Sequence, residues 1–162
     1  MTRFTIPNRF EQEGWPEQLR RVERWHARAL SALKASEHSN DSDTIDFLYA
    51  FFQAAYHLAD WLKNSGAAPR GDVETFVNST TALASCRDIC NGSKHLRLDK
   101  HQRSKSVGLM REYIPPSQGR PAGTRARLFA FQRQDGSVDY ADIEQLMSDC
   151  VRTWHAYCET LA

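Results

Sequence analysis

Reactive side chains are most concentrated between residues 86 and 95, in the run CRDICNGSKH. If this segment is helical, Asp88, Asn91 and His95 stand at positions i, i+3 and i+7 and share one face, with Arg87 four residues before Asn91. Arginine is a permanent planar cation that binds phosphate oxygens. Histidine titrates near neutral pH, which suits proton transfer at a ribose hydroxyl. The run therefore predicts a face that binds phosphate and moves a proton.

A structural interpretation of the same run stays open. Arg87 and Asp88 would then form surface ion pairs, and Asn91-Gly92 would end the helix, because glycine is unfavourable inside helices.

A second group is His57 and Asp60, which stand at i and i+3 in the run HLAD. A histidine and a carboxylate at this spacing form half of a metal site, which His95 or His26 would complete across a helical bundle. The alternative is that His57 and Asp60 support the face that carries Asn91 and His95. Since a single HxxD is a weak motif, we expect neither a metal nor another cofactor.

The elements that position these groups follow from hydrophobic periodicity. Apolar residues recur at helical spacing in four segments, one of which carries a Ser-Thr-Thr cluster that interrupts or kinks it. Two strands and a short third strand precede the last helix, and Asp135-Gly136 is the predicted turn between the second strand and the third. The predicted helices are 16–33, 43–64, 72–90 and 143–161, the interruption is at 79–81, and the predicted strands are 106–114, 125–134 and 137–140.

The length and composition of the chain predict a single globular domain. The chain has 162 residues and a mass of 18.5 kDa, which suits a single domain over residues 1–162. Residues 1–14 are polar and predict an irregular N-terminal arm. The longest apolar run, residues 47–52, has six residues, whereas a membrane span needs about twenty. We therefore expect a cytoplasmic protein without membrane contact, whose four cysteines are buried core residues.

The net charge of +1 conceals an uneven distribution. Residues 87–133 contain eleven Lys/Arg and three Asp/Glu, a net of +8, and the remaining residues contain ten and seventeen, a net of −7. A basic segment beside a histidine is typical of a surface that binds a polyanion such as RNA. Phe129 and Phe131, with arginines around them, fit either base stacking or a packing face. The alternative for the charge is complementarity between a basic patch and the acidic last helix, within the chain or across a dimer.

The runs FLYAFFQAAYHLADWL and RDICNGSKHLRL resemble the HEPN superfamily of small helical domains, with the best likeness over residues 45–98. These domains combine a helical bundle with an arginine and a histidine near the end of one helix, often with an asparagine between them. The family usually places four to six residues between the two. Here Arg87 and His95 enclose seven, and an eight-residue step turns the second side chain by about 80°.

The amphipathic segments predict a mainly α fold, a bundle of about four main helices with a small antiparallel hairpin or sheet before the C-terminal helix, and the resemblance implies that this bundle is HEPN-like. It further implies a homodimer that acts as a metal-independent endoribonuclease of a phage-defence or toxin–antitoxin system, with RNA and an antitoxin as partners. A non-catalytic HEPN-like interaction module is the alternative, and a metal-binding bundle is a minor one. The implied roles are catalysis by His95, Arg87 and Asn91, substrate binding by Lys94 and Arg97, and support by His57, Asp60 and Asp88.

Overall fold

The computed structural model describes residues 9–35, 42–94 and 103–161, and its elements confirm a mainly helical fold with a small sheet before the C-terminal helix. No helix within these ranges is long and apolar enough to cross a membrane. In chain order the elements are α1 (Arg9–Ala35), α2 (Ser42–Ser65), α3 (Arg70–Ser79), α4 (Thr81–Lys94), β1 (Ser104–Ile114), β2 (Gly123–Arg133), β3 (Val138–Asp142) and α5 (Ile143–Glu159).

Helix α1 begins earlier than the sequence predicts. Residues 9–13 are helical, so the prediction of an irregular arm over residues 1–14 is wrong for its last part, and residues 1–8 lie outside the described ranges. Gly14 interrupts the helix with φ 63° and ψ −176°, a conformation that is open mainly to glycine. Pro16 follows in the first turn after this break, where the missing N–H of proline costs nothing.

Helices α3 and α4 are separate because the chain breaks at Thr80, inside the predicted interruption at residues 79–81. Thr80 adopts an extended conformation with φ −98° and ψ 117°. Its backbone N–H and its hydroxyl both donate to the carbonyl oxygen of Phe76, at 3.1 and 2.7 Å. These bonds satisfy the end of α3 and let α4 leave in a new direction.

Helix α2 is the centre of the bundle, because it packs against α1, α3, α4 and α5. It is buried on most of its circumference, as predicted for a central helix, and Phe51, Phe52 and Leu58 are fully enclosed. The ring of Phe52 meets Phe129 of β2 edge to face, with centroids 5.4 Å apart. The core therefore continues from the helices into the sheet.

The three strands form an antiparallel sheet in the order β1-β2-β3. Phe129 and Phe131 are buried, and their partners on β1 are Leu109 and Val107, so these residues form the face that packs on the helices. The two phenylalanines thus belong to a packing face rather than a base-stacking surface. Gly136, at φ 88°, closes the predicted turn between β2 and β3.

The four cysteines are buried and unpaired by disulfides, which confirms their prediction as core residues. Burial raises the pKa of the Cys158 thiol to about 11, and it raises the pKa of Cys86 as well. Both thiols are therefore protonated at neutral pH and function as small apolar groups.

Gly14 provides a test of the helix break. Gly14→Ala forces a side chain into a conformation that L residues rarely adopt, and we expect it to lower the free energy of unfolding by about 1–3 kcal/mol. The matched control is Gly71→Ala in α3. Gly71 has an ordinary φ and open space around it, so alanine should stabilise the protein by up to about 1 kcal/mol. Urea unfolding measures the free energy of unfolding of both variants. Equal effects of the two substitutions would contradict the conclusion that the helix break at Gly14 requires glycine.

His26 predicts a pH dependence of stability. It packs against Phe51, its Nε2 atom is buried without a hydrogen-bond partner among the described residues, and burial lowers its pKa from 6.5. The unfolded chain therefore binds a proton more readily than the folded chain, and stability falls as the pH drops below about 6.5. His26→Phe should remove part of this loss, so its advantage over the wild type should grow as the pH falls.

The control for His26→Phe is His155→Phe. The Nε2 atom of His155 lies 2.8 Å from Glu23 at the surface, so this substitution removes an ion pair at low pH instead of a buried titrating group. Urea unfolding between pH 7 and pH 5 should show no growing advantage for His155→Phe. A constant difference between His26→Phe and the wild type over this range would exclude His26 as the source.

Candidate functional site

A fully buried carboxylate lies at the junction of helix α4 and the sheet. Asp88 has no solvent exposure, and its Oδ2 accepts a 2.5 Å hydrogen bond from the hydroxyl of Ser104, the first residue of β1. Its Oδ1 lies 3.3 Å from the guanidinium of Arg87. A buried charge persists only where partners of this kind replace water. Asp88 is thus an internal anchor between α4 and β1.

Arg133, at the end of β2, completes the anchor. Its Nη1 donates to the Ser104 hydroxyl at 2.7 Å and lies 3.8 Å from Asp88. Its Nε donates to Asp139 of β3 at 2.6 Å. The guanidinium also lies over the ring of Phe131, 5.5 Å from its centroid. One arginine thereby connects all three strands with α4, and we call Asp88, Ser104 and Arg133 the anchor cluster.

Arg87 points to a different side of α4, because adjacent helical residues are turned by about 100°. It reaches a surface cleft of about 220 Å³ between α2, α3 and α4, where Nη1 donates to the side-chain oxygen of Asn78. Nε of Arg87 is enclosed and has no hydrogen-bond partner among the described residues. The guanidinium of Arg87 therefore contacts both Asp88 of the anchor cluster and Asn78 in the cleft.

The cleft combines hydrogen-bond donors with paired charges. Lys63 is mostly covered, and its Nζ lies 3.0 Å from Asp60 and 3.6 Å from Glu74. Burial raises the pKa of the Tyr56 phenol, and the carboxylate of Asp60 adds to this effect. Tyr56 thus remains a donor at neutral pH. Two cations, a phenol and the Asn78 amide give the cleft the groups that bind a phosphate, although the neighbouring carboxylates compete for the cations.

The structure brings together only part of the predicted site. Helix α4 continues through Gly92 to Lys94, so Asn91-Gly92 does not end it, and Asn91 lies one turn beyond Arg87 and partly exposed. Lys94 ends the described helix, and its side chain is not among those described. His95 and Arg97 lie outside the described residues. The roles of these last three residues, and of Asn91, stay predictions.

Asp88 does not lie on an open face with the predicted catalytic residues, because its side chain is buried. Its ion pair with Arg87 is present, as the structural interpretation of the run requires, but the carboxylate is enclosed rather than at the surface. Its contacts with Ser104 and Arg133 link α4 to the sheet.

His57 and Asp60 lie on α2, with His57 half-buried and Asp60 exposed. The carboxylate of Asp60 pairs with Lys63. Within residues 9–35, 42–94 and 103–161, no group of three or more His, Cys, Asp or Glu side chains could hold a metal ion. Of the two histidines that would complete the site, His95 is outside these ranges, and His26 is within them and belongs to no such group.

Four of the eleven Lys/Arg in the basic segment at residues 87–133 form the following ion pairs. Arg125 pairs with Glu112 at 3.1 Å, and Arg127 pairs with Asp142, the N-cap of α5, at 2.9 Å. Arg87 and Arg133 both meet Asp88. Of these four arginines, Arg127 shows the complementarity with the last helix that the alternative describes, and the other three pair with carboxylates elsewhere in the chain. Lys94, Arg97, Lys100, Arg103 and Lys105 contribute most of the segment's remaining positive charge.

Sequence reasoning missed Ser104, Arg133, Asn78, Lys63 and Tyr56. A signal existed for Arg133, since it follows Phe129 and Phe131 at strand spacing and therefore faces the helices, where a cation needs a carboxylate. Ser104 and Asn78 have no periodic signal, because their partners lie sixteen and nine residues away across element boundaries.

The anchor cluster predicts a large effect of Asp88→Ala on stability. Removal of the carboxylate leaves the buried Ser104 hydroxyl without its acceptor and takes from the covered Arg133 cation one of its two carboxylate partners. We expect the free energy of unfolding to fall by about 3–5 kcal/mol, as for other buried ion pairs that lose one partner. Urea unfolding measures this change, and Asp88→Asn, which keeps the shape, should cost less.

The matched control is Asp60→Ala, because Asp60 is an aspartate that pairs with a cation, Lys63, but lies exposed at the surface. Its effect should stay within about 0.5 kcal/mol. If Asp88→Ala were no more destabilising than Asp60→Ala, the anchor cluster would not stabilise the fold.

Neither protein-family models, nor curated proteins, nor solved structures match this chain. The side chains around α4 are therefore the basis on which a function is proposed.

Proposed function

We propose that this chain is a HEPN-like RNA-directed protein that cleaves RNA without a metal, with helix α4 as the element that presents its site. The observation that carries the proposal is the position of Arg87, whose guanidinium reaches the cleft between α2, α3 and α4 beside Tyr56 and Lys63. An arginine fork next to a phenol and an ammonium group provides three kinds of donor for phosphate oxygens.

The proposed reaction is attack of a ribose 2′-hydroxyl on the adjacent phosphodiester. The 2′-oxygen bonds to phosphorus and the bond from phosphorus to the 5′-oxygen breaks, which gives a cyclic 2′,3′-phosphate and a 5′-hydroxyl. His95 is the proton-transfer group, because imidazole can take the 2′-hydroxyl proton or supply one to the leaving oxygen. Arg87, Lys94 and Arg97 bind the phosphate, and Asn91 orients the reacting groups.

The proposal extends to the biological setting that the HEPN resemblance implies. The protein is a cytoplasmic homodimer and part of a phage-defence or toxin–antitoxin system, with an antitoxin as its protein partner. Support comes from the basic residues at 94–105, five Lys/Arg against one Asp, which adjoin the end of α4 and would contact an RNA backbone.

A second candidate is a non-catalytic HEPN-like interaction module. The observation in its favour is that Arg87 is partly committed inside the chain, through Asn78 and Asp88. An arginine with these partners has fewer donors for a ligand. In this candidate Arg87 stabilises the contact of α3 with α4 and does not touch RNA.

Incubation of the protein with mixed RNAs in EDTA separates the two candidates. The catalytic candidate predicts cleavage by the wild type and a loss of about 10²–10⁴-fold in His95→Ala, the usual contribution of a general acid or base. Arg87→Lys keeps the charge but loses the fork, so cleavage should fall about tenfold or more. Products should carry cyclic phosphate ends.

Arg152→Ala is the matched control, because Arg152 is an exposed arginine on α5 that pairs with Asp149. It should leave cleavage unchanged. No cleavage by the wild type, or equal cleavage by wild type and His95→Ala, would reject the catalytic proposal. In the first case, RNA binding that is unaffected by Arg87→Lys would also reject Arg87 as a phosphate ligand.

A further inference from the structure

The cleft between α2, α3 and α4 has two polar ends. At one end the Nζ atom of Lys63 and the carboxylate of Glu74 lie 3.6 Å apart. At the other end Arg87 donates to Asn78. Glu74 and Asn78 are one turn of α3 apart, about 6 Å along the helix axis, and the buried Val77 lines the cleft between them. A ligand in the cleft therefore meets a carboxylate at one end and a guanidinium at the other.

A phosphate group alone does not account for Glu74. Its carboxylate lines the cleft and would repel an anion placed beside it, because like charges are unfavourable at an interface. Lys63 does not need Glu74 as a counter-ion, since the carboxylate of Asp60 lies nearer, at 3.0 Å, and does not line the cleft. The ligand group that suits Glu74 is therefore a hydrogen-bond donor.

Lys63 can also donate to a ligand although it is paired. An ammonium group has three N–H donors, and the contacts with Asp60 and Glu74 occupy at most two of them. The side chain of Lys63 is mostly covered, so these contacts hold its charge at the edge of the cleft. This end of the cleft thus presents an acceptor and a donor side by side, and it fits a ligand with a donor next to an acceptor.

Guanine is the RNA base whose edge matches this arrangement. Its Watson–Crick edge presents two adjacent donors, N1–H and N2–H, beside the acceptor O6. The two oxygens of one carboxylate can accept from both donors, and a neighbouring ammonium group can donate to O6. Adenine and cytosine present a single exocyclic donor beside a ring acceptor, and uracil presents one N–H between two acceptors. Each of these three bases would therefore turn an acceptor toward an oxygen of the carboxylate.

We propose that the cleft binds one guanine base of the RNA, with Glu74 and Lys63 on its Watson–Crick edge and Arg87 on a phosphate of the same strand. This inference rests on the proposed function, in which Arg87 is a phosphate ligand. The cleft volume of about 220 Å³ is smaller than the about 300–1,000 Å³ of pockets that enclose a whole drug-sized ligand, and it suits a single base. Ala59 and Val77 provide apolar contact for that base. The protein thus selects RNA sites that contain guanosine.

Binding of oligonucleotides that cannot be cleaved tests the proposal. The probes are fluorescein-labelled hexamers of 2′-O-methyluridine with one central 2′-O-methylguanosine or 2′-O-methyladenosine, because the methyl group removes the attacking hydroxyl. Fluorescence anisotropy should show that the wild type binds the guanosine probe about tenfold or more tightly than the adenosine probe, as expected for a bidentate contact with a base. Glu74→Gln replaces one acceptor oxygen with an NH₂ donor, so this variant should bind the two probes with nearly equal affinity.

The matched control is Asp60→Asn, because Asp60 and Glu74 both pair with Lys63 and both are 52% exposed, whereas Glu74 lines the cleft and Asp60 does not. This variant should keep the preference for the guanosine probe, even where its affinity for both probes changes. Circular dichroism should show that both variants are folded.

Equal binding of the two probes by the wild type, or no binding of either, would overturn the guanine site. A guanosine preference that Glu74→Gln retains, or that Asp60→Asn loses, would also overturn it. The cleavage assay in EDTA is read separately from these outcomes. Cleavage without a guanosine preference rejects the guanine site and leaves the proposed function, whereas a guanosine preference without cleavage rejects catalysis and leaves the guanine site.

Discussion

A buried carboxylate is stable only where nearby donors replace its water, and this requirement at Asp88 fixes how the helices meet the sheet. The donors come from two strands of the sheet: the Ser104 hydroxyl from β1 and the Arg133 guanidinium from β2. If α4 slid or rotated, a charge would stay buried without partners, at a cost of several kcal/mol. Hydrophobic contacts between Phe52 and Phe129 hold the same layers together, but they tolerate small shifts that the anchor cluster does not.

The rotation of α4 in turn decides which side chains reach the cleft. With Asp88 directed at the sheet, its neighbour Arg87 is turned by about 100° toward α2 and α3. The break at Thr80 contributes equally, because α3 must leave the line of α4 for Asn78 to lie against Arg87. The position of Arg87 thus depends on one buried carboxylate and one helix break, neither of which lines the cleft.

The sequence predicts elements better than it predicts contacts, and particular residues show why. The alternation of Phe129 and Phe131 identifies a packing face, and Asp135-Gly136 identifies a turn, because each pattern is local. The sequence pattern predicts an irregular arm over the helical residues 9–13 because these mostly polar residues form no apolar stripe. Gly14 also interrupts the helical pattern between them and the rest of α1. The contact of Ser104 with Asp88 depends on how α4 is rotated against the sheet, which no spacing along the chain specifies.

The two arginines that contact Asp88 differ in how many of their guanidinium donors have an acceptor within the protein. Arg133 is satisfied by Ser104, Asp88 and Asp139 and is largely covered, so it has a structural role. Arg87 donates to Asp88 at 3.3 Å, but its enclosed Nε has no hydrogen-bond acceptor among the described residues. An anion in the cleft therefore competes with Asp88 and Asn78 for one guanidinium, and it gains less there than at a free arginine. Because Asp88 keeps the Ser104 hydroxyl and the nearby Arg133 cation, it can lose Arg87 to a ligand without becoming a bare buried charge.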